Sequence, residues 1–230
     1  DSGNNTNWLI GQHDITGTLY SDQGSTPLAS KAVSVSTNGG ASRDTDVTNG
    51  SGEFSLSGVT LTGGTIVTLY IDGETENGVT VTLSDGADMS GLDVYQDRLI
   101  VRSDSGSVAI TNSDLAVADN SGDSDIGAIY TMNNEQLIIN NNGELFVWSG
   151  DTYAPDDRVK SHDLEVLGTM TMGTNGLTLS GSFVASSGTF NTSTGVILSG
   201  AEGPEALSLG SNTLSGNLSI NNGLVGYWKL

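Results

Sequence analysis

The sequence predicts an all-β protein. Short β-branched runs are separated by Gly, Asn, Asp and Ser at intervals of about 8–12 residues, the pattern of short strands joined by tight turns. Helical periodicity is nearly absent, and short helices fit only Leu115–Ala118 and Glu202–Leu207. A formal net charge of −20 in 230 residues is also typical of disordered chains. The regular alternation of apolar runs and turns nevertheless indicates a folded protein.

Six runs in the first hundred residues are predicted strands. Val33 and Val35 lie two residues apart, as do Val79, Val81 and Leu83, so each set faces one side of a pleated strand. The segments between the runs contain Asn and Gly, which tolerate the positive φ of tight turns. The runs are Ile15–Tyr20, Ala32–Ser36, Glu53–Leu56, Ile66–Ile71, Val79–Leu83 and Leu92–Tyr95.

Three blocks of this region follow the order of a known domain family. They are Ile15–Tyr20, Thr26–Ala29 with Val33–Ser36, and Asn49–Leu56. Their order and spacing resemble the carboxypeptidase regulatory-like or Cna-B-like domain, an immunoglobulin- and prealbumin-like β-sandwich. The resemblance covers residues 13–97 and leaves residues 1–12 as an N-terminal tail. It implies a spacer or stalk of a surface protein rather than a catalyst.

Lys31 is the only lysine of this region. Some Cna-B domains form a Lys–Asn isopeptide bond promoted by a buried acid, so the resemblance makes Lys31 a candidate for such a bond, with Glu53 as the acid. Lysine is almost never fully buried unless it is paired. The position of Lys31 just before a strand favours an ordinary solvated lysine in a turn.

The character of the sequence changes after Arg98. Short apolar runs continue at Leu99–Val101, Val108–Ile110, Leu137–Ile139 and Leu145–Trp148. From Leu164 onward, two apolar residues separated by one polar residue and followed by Gly recur every six to nine positions. This rhythm is typical of a β-solenoid, in which each coil stacks on the next, and it resembles the β-helix stalks of bacterial surface proteins. We predict a β-rich, solenoidal domain over residues 98–222, with an antiparallel sandwich of short hairpins as the alternative.

The acidic segment 119–125 is the best candidate for a metal site. Asp119, Asp123 and Asp125 bring carboxylates together in sequence, and Ca²⁺ is bound by oxygen ligands. The segment departs from an EF-hand loop, because Ser124 stands where that loop needs Gly and Tyr130 where it needs Glu. Calcium is the one cofactor that the sequence suggests, and a solvated acidic turn is the alternative interpretation.

Composition and motifs argue against most enzyme classes and against nucleic acid as a partner. Without cysteine, the chain has no thiol catalysis and no Cys-ligated zinc. His13 and His162 are the only histidines, and neither lies in a metal-ligand motif. With 7 Lys+Arg against 27 Asp+Glu, the chain lacks the clustered cations that phosphate binding needs. No run approaches the roughly 18 apolar residues of a transmembrane segment. We expect a non-enzymatic protein, and its acidic, Lys-poor composition favours an extracellular location.

Both ends of the chain carry large apolar side chains, which are unfavourable in water. They are Trp8, Leu9 and Ile10 near one end and Leu224, Val225, Tyr227 and Trp228 near the other. Residues 223–230, the predicted C-terminal strand, also resemble the first strand of a laminin-G or concanavalin-like domain. We predict that these side chains mediate assembly, either with copies of the same chain by strand addition or with adjoining domains. Packing against the chain itself is the alternative.

These features together predict an extracellular structural protein of a microbial surface, such as a stalk, an adhesin segment or a subunit of a filament or pilus. A carbohydrate-binding module is the alternative function. In that case Trp148, Tyr153 and Trp8 are the aromatic side chains expected to stack on a sugar.

Overall fold

The computed structural model describes residues 11–199 and 206–220. Of these, 48% lie in strands and 7% in helices, which confirms the all-β prediction. No helix in the two ranges is long and apolar enough to cross a lipid bilayer. Most of the predicted helix Glu202–Leu207 lies outside the described residues, and so do all the predicted assembly residues. These are Trp8, Leu9, Ile10, Leu224, Val225, Tyr227 and Trp228.

Seven strands build the N-terminal unit. They are β1 (Gln12–Tyr20), β2 (Ala32–Thr37), β3 (Ser42–Val47), β4 (Glu53–Thr60), β5 (Gly63–Ile71), β6 (Val79–Asp85) and β7 (Val94–Tyr95). One sheet has the order β4-β1-β7, and the other four strands form the antiparallel series β3-β2-β5-β6. Side chains from both sheets, such as Leu19, Val35 and Leu69, are fully buried in one shared apolar cluster. Membership of this unit in the prealbumin type stays a prediction.

Each of the six predicted runs contains a strand of the structure. The strand missing from the prediction is β3, whose sequence Ser-Arg-Asp-Thr-Asp-Val has no apolar alternation. It forms the edge of its sheet, where charged side chains are favoured because they discourage pairing with another chain.

Two carboxylates of β3 reach across to β4. Asp46 Oδ2 accepts the Ser55 N–H, and Asp44 Oδ2 accepts the Ser57 N–H, both at 2.7 Å. Both donors belong to the edge strand of the three-stranded sheet. Unpaired N–H groups at a sheet edge are where a foreign strand can add. The β3 side chains therefore occupy two donors that β4 would otherwise offer.

Two short helices lie between the N-terminal unit and the rest of the chain. After β8 (Arg98–Val101) come α1 (Asn112–Asp119) and α2 (Ser124–Ile129). Leu115 of α1 and Ile126 of α2 are buried in the same apolar cluster as the outward side chain of Tyr70 in β5. The helices thus cover one face of the N-terminal unit while they close the start of the second apolar core.

The helix prediction at Leu115–Ala118 is confirmed as part of α1. The predicted strand Val108–Ile110 is wrong, because Val108 is exposed and Ile110 makes only an isolated bridge to Tyr153. A single bridge anchors this segment to the coil below without extending a sheet.

The rest of the described chain forms a three-faced stack of short strands. They are β9 (Tyr130–Asn133), β10 (Gln136–Ile139), β11 (Glu144–Val147), β12 (Thr152–Tyr153), β13 (Val159–Ser161), β14 (Asp163–Val166), β15 (Thr169–Gly173), β16 (Leu177–Leu179), β17 (Phe183–Val184), β18 (Thr189–Thr192), β19 (Gly195–Leu198), β20 (Leu207–Ser208) and β21 (Asn217–Ile220). The first face holds β9, β10, β13, β16, β19 and β21, the second holds β11, β14, β17 and β20, and the third holds β12, β15 and β18. Apart from the β9–β10 hairpin, the described strands of this stack pair in parallel.

This parallel stack confirms the solenoid prediction and excludes the alternative of short antiparallel hairpins. Equivalent side chains form columns inside it, and on the second face Leu145, Leu164 and Phe183 are neighbours at intervals of 19 residues. One coil holds three strands, one for each face. The recurrence every six to nine positions in the sequence therefore corresponds to one face of a coil.

One sheet runs through both units. β8 pairs in parallel with β6 on one side and with β11 on the other, so the second face of the solenoid and four strands of the N-terminal unit form a nine-stranded sheet. Val79, Leu99 and Leu145 are neighbours in one row of this sheet and are fully buried. The sequence boundary between residues 97 and 98 thus lies inside a hydrogen-bonded sheet.

Candidate functional site

Arg102 is the centre of the polar contacts at the junction of the two units. Its side chain is buried although it is charged. Nε and Nη2 donate to the two carboxylate oxygens of Asp104 at 3.0 and 2.6 Å, and Nη1 donates to the Gly91 carbonyl at 2.7 Å. The guanidinium carbon lies 5.3 Å from the centroid of the Trp148 ring. Arg102 therefore joins a loop of the N-terminal unit to the second face of the solenoid.

Two further carboxylates lie near this arginine. Burial raises the pKa of Asp93, while the Thr18 N–H and the charge of Arg102 offset part of the rise. Burial also raises the pKa of Asp151, again opposed by a backbone N–H and by Arg102. Thr82 Oγ1 donates to Asp104 at 2.7 Å, so the ion pair is held by a third group. A buried guanidinium with this many partners is typical of an ion network that fixes the packing of two elements.

The sequence gives no signal for this network. An arginine two residues before an aspartate is common, and only the fold brings Gly91 and Trp148 to Arg102. The prediction of a domain change at residue 98 places the two units next to each other in the chain but says nothing about what crosses their junction.

An aromatic cluster covers the same junction. Tyr20 and Tyr95 of the N-terminal unit meet Phe146 and Trp148 of the solenoid, with ring centroids 5.6 to 5.9 Å apart and mostly edge-to-face geometry. Such pairs add about 0.5–1.5 kcal/mol beyond the area that they bury. Tyr95 and Phe146 are buried, and Tyr20 and Trp148 are half-buried at the surface.

Of the three aromatic residues predicted to stack on a sugar, the structure describes Trp148 and Tyr153. Tyr153 is fully buried inside the solenoid, and its hydroxyl donates to Asn112 Oδ1 at 2.5 Å, so its assignment to a sugar site is wrong. The burial of Tyr153 could not be predicted from the sequence. Its strand has only two residues, too few to show the alternation that marks an inward-facing side chain. Trp148 keeps part of its surface exposed, and Trp8 lies outside the described residues.

Lys31 lies at the start of β2 and is paired with two glutamates. Its Nζ is 2.6 Å from Glu76 Oε2 and 3.3 Å from Glu74 Oε2, and the lysine side chain is 21% exposed. The hydrogen bond to Glu76 raises the pKa of Lys31. Lys31 thus precedes the strand as expected and is paired at the surface, while the isopeptide bond stays a prediction. Glu53 accepts a hydrogen bond from Asn49 at 2.8 Å, so it is not the acid beside Lys31.

The acidic segment 119–125 is not an open loop. Asp119 ends α1, and Asp123 is the N-cap of α2. Each of the three carboxylates accepts a different backbone N–H: Asp119 that of Met132, Asp123 that of Asp125, and Asp125 that of Gly73. The described residues contain no group of three or more His, Cys, Asp or Glu side chains placed to hold a metal ion. Calcium at this segment stays a prediction.

The two histidines are engaged separately. His13 Nδ1 lies 3.1 Å from Asp88 Oδ1 in the N-terminal unit, and His162 Nδ1 lies 3.0 Å from Ser180 Oγ in the solenoid. A scan against protein-family models, a search of curated proteins and a search of solved structures gave no match to this chain. The functions considered below therefore depend on the sequence and the geometry of the chain itself.

Proposed function

We propose that this chain is an extracellular structural protein of a microbial surface, acting as a stalk, an adhesin segment or a filament subunit. The observation that carries the proposal is the parallel pairing of β8 with both β6 and β11. A continuous sheet resists bending at the junction better than a linker would. The buried row Val79–Leu99–Leu145 and the contacts of Arg102 cross the same junction. Two units joined rigidly in this way suit a stalk, which holds neighbouring domains away from the cell surface.

We also infer that residues 13–97 form a β-sandwich of the prealbumin type. Seven strands in two sheets around one apolar cluster support this inference, as do the three sequence blocks that resemble the family. Domains of this type serve mostly as spacers, which agrees with a stalk. The composition supports an extracellular location, because a net charge of −20 keeps a protein soluble at the surface of a cell.

The rigidity of the junction can be measured with spin labels, because the chain has no native cysteine. Val47 in the N-terminal unit and Ile197 in the solenoid are both exposed and are suitable sites for Val47→Cys with Ile197→Cys. We expect a single, narrow distance distribution between the two labels in pulsed electron paramagnetic resonance.

The matched control is Val47→Cys with Ala87→Cys, which places both labels in the N-terminal unit at exposed positions. The two distributions should have similar widths. A distribution between the units that is clearly broader than the control, or that has several maxima, would overturn the rigid stalk.

We propose that a filament, if formed, is assembled through the apolar terminal segments and not through the β3–β4 edge. The carboxylates of Asp44 and Asp46 occupy donors of that edge, which supports addition elsewhere. Light scattering at rising protein concentration tests the filament. We expect particles that grow with concentration and that shrink in Trp8→Ala with Trp228→Ala. A species that is strictly monomeric at high concentration contradicts assembly.

Carbohydrate binding is the second candidate function. The observation that favours it is the half-exposed ring of Trp148, which the guanidinium of Arg102 holds in place from one side. A ring held in this way is ready to stack on a sugar at little cost in side-chain entropy. Binding on a glycan array that Trp148→Ala abolishes would support this function, and binding that survives the substitution would exclude Trp148 as the site.

A further inference from the structure

A groove of about 430 Å³ lies on the third face of the solenoid. Its floor is formed by β15 and β18, and one wall is formed by residues 211–215, which leave the regular strand geometry. The lining consists of Ser, Thr, Asn and Gly residues together with Phe190, whose ring is turned into the core. Among the residues that the structure describes, no charged side chain lines it.

Five polar side chains in this groove have unused hydrogen-bonding capacity. They are Thr171, Asn191, Ser211, Thr213 and Ser215, all exposed. Within the described part of the chain, none of these five side chains makes a hydrogen bond. Other groove residues do: Ser193 Oγ donates to the Gly173 carbonyl at 2.5 Å. The groove therefore contains two kinds of polar group: those that stabilise the coil by hydrogen bonds, and those that remain available to bind a ligand.

The free groups stand on a fixed framework. Thr171 and Asn191 are register partners on adjacent parallel strands, so they lie about 4.8 Å apart along the stack. Asn212 fixes the wall, because its Oδ1 accepts the Phe190 N–H at 2.8 Å and its Nδ2 donates to the carbonyls of Ala185 and Gly188. The backbone that carries these groups is therefore already ordered, so binding has to order only their short side chains.

We propose that this third-face groove binds a neutral glycan. Hydroxyl and amide groups both donate and accept hydrogen bonds, which matches the hydroxyls of a sugar. The charge of the whole chain repels anions, and a cation would prefer the many carboxylates outside this uncharged groove. A volume of about 430 Å³ is within the range of small-molecule sites. Because no exposed aromatic ring of the described residues lines the groove, we expect weak binding at a single site.

This proposal takes its ligand class from the second candidate function but places the ligand far from Trp148 in the sequence and on a different face. The experiment must therefore separate three cases: no glycan binding, binding at Trp148, and binding in the groove. The full chain is applied to an array that holds neutral and acidic glycans, and the best neutral oligosaccharide is then titrated by calorimetry.

The groove variants are Asn191→Ala and Thr213→Val, the matched control is Thr178→Val on the first face, and Trp148→Ala tests the competing site. We expect each groove variant to weaken binding by about tenfold, since one good hydrogen bond contributes roughly 1.4 kcal/mol. The Thr178→Val control should not change the affinity. Because Asn191 and Thr213 are exposed and unbonded, thermal unfolding curves of the variants should match the wild type.

Three results overturn the proposal: no binding to any neutral glycan, binding only to acidic glycans, or full affinity in both groove variants. Loss of binding in Trp148→Ala with the groove variants unaffected would support the second candidate function while rejecting the groove. Failure of the stalk proposal, measured by spin labels, is independent of all these outcomes.

Discussion

Arg102 is buried at the junction, and its guanidinium contacts a carboxylate, a backbone carbonyl and an aromatic ring. A planar fork can satisfy these partners at once, whereas an ammonium group offers a single point of charge. The residue therefore depends on the shape of its side chain as much as on its charge.

Arg102→Lys should lower the free energy of unfolding by about 1–2 kcal/mol, because the bidentate pair with Asp104 and the stacking on Trp148 are lost while the charge remains. Urea denaturation measures this change. The matched control is Arg43→Lys, whose exposed side chain bonds only to Thr37 among the described residues and should change stability by less than about 0.5 kcal/mol. Equal stability of Arg102→Lys and the wild type would show that the fork contributes nothing.

Strand β3 contacts its neighbours through its side chains as well as its backbone. Its backbone pairs with β2, while Asp44 and Asp46 bond to N–H groups of β4 in the other sheet. The strand therefore closes one open side of the N-terminal unit.

Asp46→Ala should cost about 1–2 kcal/mol of stability, because the Ser55 N–H loses its acceptor. It should also promote self-association, because a free edge donor can pair with another chain. Denaturation and sedimentation velocity measure the two effects. Asp14→Ala is the control for the change in charge, because the Asp14 carboxylate makes no hydrogen bond within the described residues. Similar behaviour of the two variants would argue against the edge contact.

The connection between α1 and α2 carries the predicted calcium ligands. Because the three carboxylates already accept N–H groups from three different segments, we expect the same melting temperature in a chelator and in calcium. Circular dichroism during heating measures it. A melting temperature that falls in the chelator, and that recovers when calcium is added, would establish the cation site instead.

The sequence predicts an element well where burial leaves a periodic trace. Val79, Val81 and Leu83 alternate because one side of β6 faces an apolar core. This periodic pattern is absent in β3, an edge strand with charged side chains and little burial. It is also absent in α2, which has only six residues and a central Gly127. It is also absent at Tyr153, whose strand is too short for a period. The free polar groups of the third-face groove give no trace either, since Ser, Thr and Asn are abundant throughout the chain.

At the scale of the whole molecule, the sequence does not determine which strands pair with each other. The rhythm after Leu164 is compatible with both parallel coils and antiparallel hairpins, because either arrangement uses short strands and tight corners. Long-range parallel pairing, such as that of β14 with β17 and of β15 with β18, decides between them. The continuity of the nine-stranded sheet is a property of pairing and not of local pattern.

The stability of the whole molecule should depend on pH with a maximum on the acidic side of neutrality. Burial raises the pKa of four carboxyl groups, namely Asp93, Asp119, Glu144 and Asp151. The folded state holds these protons more tightly than the unfolded state, so their stabilisation is present at low pH and is lost as pH rises through the folded pKa values. Hydrogen bonds lower the pKa of Asp22, Glu76 and Asp88, whose contributions are lost as pH falls below about 4.

We therefore expect the melting temperature to rise as pH falls from neutrality towards the raised pKa values of the four buried carboxyls, helped by the reduced repulsion within a chain of charge −20, and to fall again below about pH 4. Scanning calorimetry across this range measures the profile. A repeat at high salt separates the two causes, because screening weakens the repulsion between exposed charges more than the desolvation of buried ones. A steady decrease from pH 7 to pH 5 would contradict the prediction.

The interval of 19 residues between stacked side chains has a consequence for evolution. Each coil touches only its neighbours, so the duplication or deletion of a coil beyond Leu167 preserves the contacts between the N-terminal unit and the first coils. Each such event would change the height of the stack by about 4.8 Å, the spacing of paired strands. Related proteins of different length are thus expected to differ by whole coils of the solenoid and not by parts of a coil.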